Sequence, residues 1–140
     1  MTSPRTADTA PQTHDGRRDG LLRLALLVDV VLTGANGIGY LTLATVLDSV
    51  LGVERSVQYP VGAFLTVYAL WVLFVLRQER LNRAAVGVVI TLNALWAVAS
   101  ILTAATDALG STTVGTTWIV LQGLIVGAMG AVQYVGLRRL

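Results

Sequence analysis

The chain of 140 residues contains no cysteine. No disulfide can staple a small fold, and no thiol relay can pass electrons to a quinone. There is one histidine, His14, near the N-terminus. Within the membrane, a haem held between histidines, a histidine-ligated metal and a Ser-His dyad are therefore excluded. Charged residues make up only 13% of the chain, against about 25% in an ordinary soluble domain. That is too little to wet the surface of a small globule, which argues against a compact soluble enzyme. An apolar content of 54% excludes a disordered chain. Lysine is also missing, and every basic residue is arginine. Beside abundant Ala, Val, Leu and Gly, this fits a GC-rich coding sequence and carries no functional weight.

What is present is apolar sequence in long blocks, with a mean hydropathy of +0.69. Residues 1–20 hold Pro4, Pro11, Gly16 and Gly20 and almost no large apolar side chain, so they read as a disordered cytoplasmic tail. Residues 21–140 read as one domain with helices at about 21–47, 57–76, 84–106 and 113–137. A helix rising 1.5 Å per residue needs about 20 residues to cross the hydrocarbon layer. The second block reaches that length when Ser56 to Pro60 is added, with Pro60 in the first turn. Period-two alternation is absent, and open sheets cannot cross lipid. The first block is too long for the apolar region of a signal peptide, and no A-x-A-like site follows it. The expected fold is all-α: a four-helix transmembrane bundle with up-down topology.

Arginines set the expected orientation. Arg5, Arg17, Arg18 and Arg23 precede the first block, Arg77, Arg80 and Arg83 separate the second from the third, and Arg138 and Arg139 follow the fourth. Only Arg55 falls on the other side, beside Glu54. The positive-inside rule places both termini and the middle loop in the cytoplasm, which makes the chain a multi-pass protein of the cell's inner (cytoplasmic) membrane. A bias this strong argues against the antiparallel pairing found among small multidrug exporters and fluoride channels. The arginines border apolar blocks rather than forming one exposed basic face, so nucleic acid is not an expected partner.

Polar side chains inside the membrane are costly and mark the candidate site. Asp29, Thr33, Asn36 and Tyr40 follow helical spacing down the first block. Asn93 and Ser100 lie on a similar stripe in the third, and Gln122 and Gln133 in the fourth. Counted from the flanking arginines, Asp29 lies roughly 9 Å deep and Gln133 roughly 7 to 8 Å deep, in one layer. Thr33 and Asn93 fall near 15 Å, Asn36 slightly deeper, and Tyr40, Ser100 and Gln122 near 24 to 26 Å. Interhelical hydrogen bonds are the plain reading of these groups, and a polar pathway or ligand site is the sharper one. Asp29 has three readings: a hydrogen bond to Gln133 or Thr33, an ion pair with Arg23 or a middle-loop arginine, or proton or cation handling.

Small residues supply the expected packing surfaces. Gly123 and Gly127 form a GxxxG pair extended by Gly130, and Gly34, Gly37 and Gly39 cluster on the first block. The run Thr33 to Gly39 is also a candidate kink, and its GxG is no nucleotide fingerprint because no strand precedes it. The first and third blocks form a weak repeat, each with an arginine near its start, a central asparagine and an aspartate near its end.

The combination of Asp29, Thr33-Gly34-Ala35-Asn36-Gly37-x-x-Tyr40-Leu41, Gly62-x-Phe64-Leu65-x-x-Tyr68-Ala69 and Asn93-x-Leu95-Trp96 resembles small four-helix membrane proteins of GC-rich actinobacteria. The resemblance spans about residues 23–139. It implies the fold and the membrane location and assigns no functional residue.

The sequence thus leads to a non-enzymatic membrane protein without cofactor or metal, acting as a structural, accessory or interaction component. Its expected partners are the lipid bilayer and another membrane protein or a second copy. One alternative is a small proton- or ion-coupled transporter or channel subunit using Asp29. The other is a lipid- or quinone-binding accessory protein.

Overall fold

A computed structural model describes residues 19–140, so the tail expected over residues 1–20 and His14 lie almost wholly outside the described residues. The chain forms α1 (Gly20–Thr42), α2 (Ala44–Leu51), α3 (Arg55–Leu76), α4 (Arg83–Thr106) and α5 (Thr113–Arg138). Four of these, α1, α3, α4 and α5, are 22 to 26 residues long and apolar enough to cross a membrane. Helices of that length cover the roughly 30 Å hydrocarbon layer at 1.5 Å per residue. The protein is an all-α, four-helix, multi-pass membrane protein.

Each helix end has a local cause. The Asn82 side chain accepts from the backbone N–H groups of Ala84 and Ala85 at 2.9 and 3.2 Å and starts α4. Thr112 does the same for Gly115 at 3.1 Å and starts α5. Gly52 closes α2 in the left-handed conformation, with φ of 69°. α3 begins at Arg55, two residues before the expected start, so Pro60 lies past the first turn. The hydrogen bond it cannot make would have ended on the Ser56 carbonyl, at the exposed start of the helix.

The first apolar block is not one helix. It breaks at Leu43, which leaves helical geometry with φ of −111° and ψ of 16°. The candidate kink at Thr33 to Gly39 stays helical. The break redirects α2 onto the start of α5, where the Thr112 N–H donates to the Leu51 carbonyl at 3.1 Å and the Thr112 hydroxyl to the Val50 carbonyl at 2.8 Å.

α1 packs on α3 and α4 on α5, and the two pairs meet chiefly through α1 and α5. At one end the Arg23 guanidinium gathers the chain. It pairs with Asp19 at 2.9 Å and donates to the carbonyls of Leu76, Gln78 and Glu79. Arg83 reaches the Leu137 carbonyl at the same end, and Leu22 lies against Gly136. The start of α1, the α3–α4 loop and the end of α5 therefore lie together, with Arg77, Arg80, Arg138 and Arg139 beside them. The opposite end carries Arg55, 3.5 Å from Asp48. Next to the arginine-rich end sits a dry core of Leu22, Leu26, Val72, Val75, Val86 and Val89, each at most 2% exposed. Val31, Val67, Phe74, Leu95 and Leu124 face outward, as lipid contact requires.

Candidate functional site

Immediately above that apolar core the bundle becomes polar. Asp29 of α1 is 3% exposed, and three side chains donate to its carboxylate. Thr33 Oγ1 donates to Oδ1 at 2.8 Å. Asn93 Nδ2 and Gln133 Nε2 donate to Oδ2 at 2.9 and 2.8 Å. Asn93 Nδ2 also donates to Gln133 Oε1 at 2.9 Å, and the Tyr68 hydroxyl donates to Asn93 Oδ1 at 3.1 Å. One carboxylate thus ties α1, α4 and α5 together, with α3 joined through Tyr68. Every partner is uncharged; Arg23 bonds instead to Asp19 and to loop carbonyls at the bundle end. Of the three readings of Asp29, the hydrogen-bonded one matches this geometry and the ion pair does not.

A second polar layer lies toward the Arg55 end. Trp96 Nε1 donates to Gln122 Oε1 at 2.8 Å, and Gln122 Nε2 donates to Ser100 Oγ at 2.9 Å. Trp118 Nε1 donates to the Tyr40 hydroxyl at 2.8 Å. Trp118 thus links α5 to α1.

Between the two layers lies a cavity of about 320 Å³. Asp29, Thr33, Asn36 and Asn93 give it polar walls, and Phe64, Tyr68, Trp96 and Trp118 give it aromatic ones. Phe64 stacks on Trp96 with ring centroids 6.2 Å apart. Asn36 takes no part in the bonds of either layer and lines the cavity. Leu32, Ala35, Phe64 and Ile125 line it and are exposed on the apolar bundle surface, so it is partly open on the side that faces lipid.

The structure brings Asp29, Thr33, Asn93 and Gln133 into one cluster and Ser100 and Gln122 into another, with Tyr40 on Trp118. Asn93 lies lower than arginine counting places it, because it bonds directly to Asp29. Arginine is a loose depth marker: its long stem lets the backbone anchor at different levels. Arg23 folds onto loop carbonyls, whereas Arg83 reaches across to Leu137.

The packing glycines divide. A Cβ on Gly123 would lie 2.8 Å from Ser100 Cβ, and one on Gly130 3.3 Å from Asn93 Cβ. Gly127 and Gly34 have ordinary contact distances, 3.4 Å to Ala97 and 3.6 Å to Ala69. Gly37 is tightly packed on α3, within 3.0 Å of Gly62 and Thr66. Gly39 is a correction: nothing lies within 4 Å of the position of its Cβ, since it faces away from α3. Gly62, Gly115 and Gly136 have the close contacts that the sequence reading did not assign.

Sequence reasoning also missed Gln58, which is 2% exposed and donates to the Val53 carbonyl at 2.6 Å. Its Oε1 is a buried acceptor with no partner among the described residues, a condition that costs about 1–3 kcal/mol. A signal existed: Gln58, Gly62, Leu65, Ala69 and Val72 recur at helical spacing and form the buried face of α3. Comparison of the chain with protein-family models, curated proteins and solved structures finds no match.

Proposed function

We propose that the protein is a non-enzymatic accessory component of the cytoplasmic membrane that holds a small amphipathic ligand, of lipid or quinone type, in the bundle interior. The observation that carries this reading is the cavity of about 320 Å³ between the polar layers. Its size lies at the lower end of the range for ligand sites, roughly 300–1,000 Å³. Its walls offer flat rings to an apolar or conjugated body and the Asn36 amide to a polar head. Its mouth faces lipid, the phase from which such a molecule arrives. No soluble domain stands beside it among the described residues, which supports a binding role over catalysis.

Orientation follows the arginines. The end carrying Arg23, Arg77, Arg80, Arg83, Arg138 and Arg139 faces the cytoplasm, and Arg55 faces outward. The bilayer is the first partner. Association with another membrane protein or a second copy stays within the proposal, although Gly123 and Gly130 are already occupied by α4.

The transport reading has one observation of its own, a membrane-buried carboxylate with only uncharged partners. Against it stands the apolar core between Asp29 and the arginine-rich end, which leaves no polar route onward.

The ligand reading is tested with decylubiquinone on protein in lipid nanodiscs, with Trp71→Phe so that Trp96 and Trp118 report. Saturable quenching of their fluorescence, weakened severalfold by Asn36→Leu, is expected. Quenching that rises linearly with quinone and ignores Asn36→Leu would refute it.

A further inference from the structure

The arginine-rich end carries more positive charge than the described residues neutralise. Arg23 is paired with Asp19. Arg77, Arg80, Arg83, Arg138 and Arg139 are all exposed and have no ion pair among the described residues. Glu79 is the one other carboxylate side chain described at that end.

Two of these arginines are brought to one seam. Arg83, at the start of α4, donates from Nη1 to the Leu137 carbonyl at 3.4 Å, and Arg138 is the next residue of α5. The Arg138 guanidinium lies over the Tyr134 ring, 5.8 Å from its centroid, so it turns back along α5 toward the membrane.

The α4–α5 seam has a defined outer side. The helices meet at Ala97 and Gly127 and at Asn93 and Gly130. Val86, Val89 and Asn93 on α4 and Gln133 and Gly136 on α5 are buried on the inner side. Arg83, Gly87 and Ala94 follow at i, i+4 and i+11 on the outer side of α4, and Ala131, Tyr134 and Arg138 at i, i+3 and i+7 on that of α5. The antiparallel pairing of Arg83 with Leu137 and of Asn93 with Gly130 sets Gly87 level with Tyr134. A Cβ on Gly87 would meet nothing within 4 Å, and Tyr134 is 51% exposed. The seam thus presents a shallow apolar face to lipid, with an aromatic ring and two unpaired guanidinium groups at its arginine end.

Charge selects the occupant. A neutral lipid gains nothing from the guanidinium groups, and a choline headgroup brings its own cation to them. A second copy related by a twofold axis would set Arg83 and Arg138 against themselves. No carboxylate would offset that repulsion, since α4 and α5 contain neither Asp nor Glu. A phosphate carrying net negative charge is complementary, because guanidinium groups both attract it and donate to its oxygens. We propose that the outer side of the α4–α5 seam holds an anionic phospholipid of the phosphatidylglycerol class, its headgroup beside Arg83 and Arg138 and an acyl chain along Gly87 and Ala131. The two arginines need not share a ligand atom: one bonds the phosphate while the other acts through its charge. Arg83, Gly87, Ala131, Tyr134 and Arg138 do not line the inner cavity, so this site stands apart from the one under Proposed function.

The test titrates phosphatidylglycerol and phosphatidylcholine of identical chains onto delipidated protein in neutral detergent, with bound lipid counted by native mass spectrometry. The anionic lipid is expected to bind at least about tenfold more tightly, at roughly fivefold per arginine. Arg83→Gln with Arg138→Gln should lose about tenfold, whereas Arg77→Gln with Arg80→Gln, which removes equal charge, should lose less than about threefold. In nanodiscs of the unaltered chain, phosphatidylglycerol carrying a diazirine in its acyl chain near the headgroup should label residues 84–91 and 127–135 in preference to other segments. That labelling decides should a paired variant misinsert. Glycerol 3-phosphate at the same concentration should not displace the lipid. Equal losses in the two paired variants, equal binding of the two lipids, labelling spread evenly over all the helices, or displacement by the soluble phosphate would each overturn the proposal.

Discussion

Gly37 and Gly62 face each other across the α1–α3 interface with no room for a side chain on either. A Cβ on Gly37 would lie 3.0 Å from the Gly62 carbonyl oxygen, and one on Gly62 2.9 Å from that of Gly37. Gly37 would also meet the Thr66 backbone nitrogen at 2.9 Å, so no flexible side chain can absorb the clash. Gly39, two residues on, meets nothing within 4 Å.

The same substitution should therefore have opposite signs at the two positions. Overpacking typically costs about 1–3 kcal/mol, while glycine to alanine in a helix interior returns about 1 kcal/mol. Gly37→Ala is expected to lower stability by a net amount of up to about 2 kcal/mol, and Gly39→Ala to raise it by about 0.5–1 kcal/mol. Equilibrium unfolding in mixed detergent and lipid micelles measures both, and equal shifts of the same sign would contradict the interface described.

The four spans were legible because lipid demands long apolar runs and arginine marks their ends. The pairing of Asp29 with Gln133 was legible too, since both were counted from nearby arginines on adjoining helix ends. The break at Leu43 was not, because Thr42-Leu43-Ala44 contains neither glycine nor proline and reads as continuous helix. A tertiary contact, Leu51 against Thr112, makes it useful. The division between Gly37 and Gly39 depends on which side of α1 meets α3, which spacing alone does not specify.

Asp29→Asn should leave the fold almost unchanged. The Asn oxygen can replace Oδ2 as acceptor for Asn93 and Gln133, and its amide can donate to Thr33, whose hydroxyl also accepts. Asp29→Leu leaves those same groups unmatched and should cost about 1–3 kcal/mol. In liposomes loaded with a pH-sensitive dye, the unaltered protein and Asp29→Asn should both match protein-free vesicles in proton leak, because Leu22, Leu26, Val72, Val75, Val86 and Val89 close the route below the carboxylate. A flux in the unaltered protein that Asp29→Asn abolishes would favour the transport reading instead.

Orientation can be measured directly, since the chain has no cysteine to remove. Single cysteines at Glu79 and at Ser56 occupy exposed positions at opposite ends of the bundle. In intact cells an impermeant maleimide is expected to label Ser56→Cys and to reach Glu79→Cys only after the membrane is opened. The reverse pattern would place the arginine-rich end outside, against the positive-inside rule.

Among the described glycines, the tightest approach lies at Gly115, near the start of α5. A Cβ there would overlap the Leu51 carbonyl oxygen. That carbonyl is the one that accepts from the Thr112 N–H at 3.1 Å, so space and hydrogen bonding converge on one atom. Gly52 follows at once with its positive φ, and a Cβ on it would lie 2.7 Å from Thr112 N, so the turn cannot shift to relieve the clash. Gly115→Ala should lift α2 from α5, break the Thr112 bond and leave the Asp29 cluster in place, because none of the cluster's hydrogen bonds involves α2. Hydrogen exchange is the suitable readout: amides of residues 44–52 should exchange at least tenfold faster, a loss of about 1.4 kcal/mol in local opening free energy, with those of residues 22–36 unchanged. Uniform acceleration across both segments would mean that α2 is integral to the bundle rather than a clasp on its outer end.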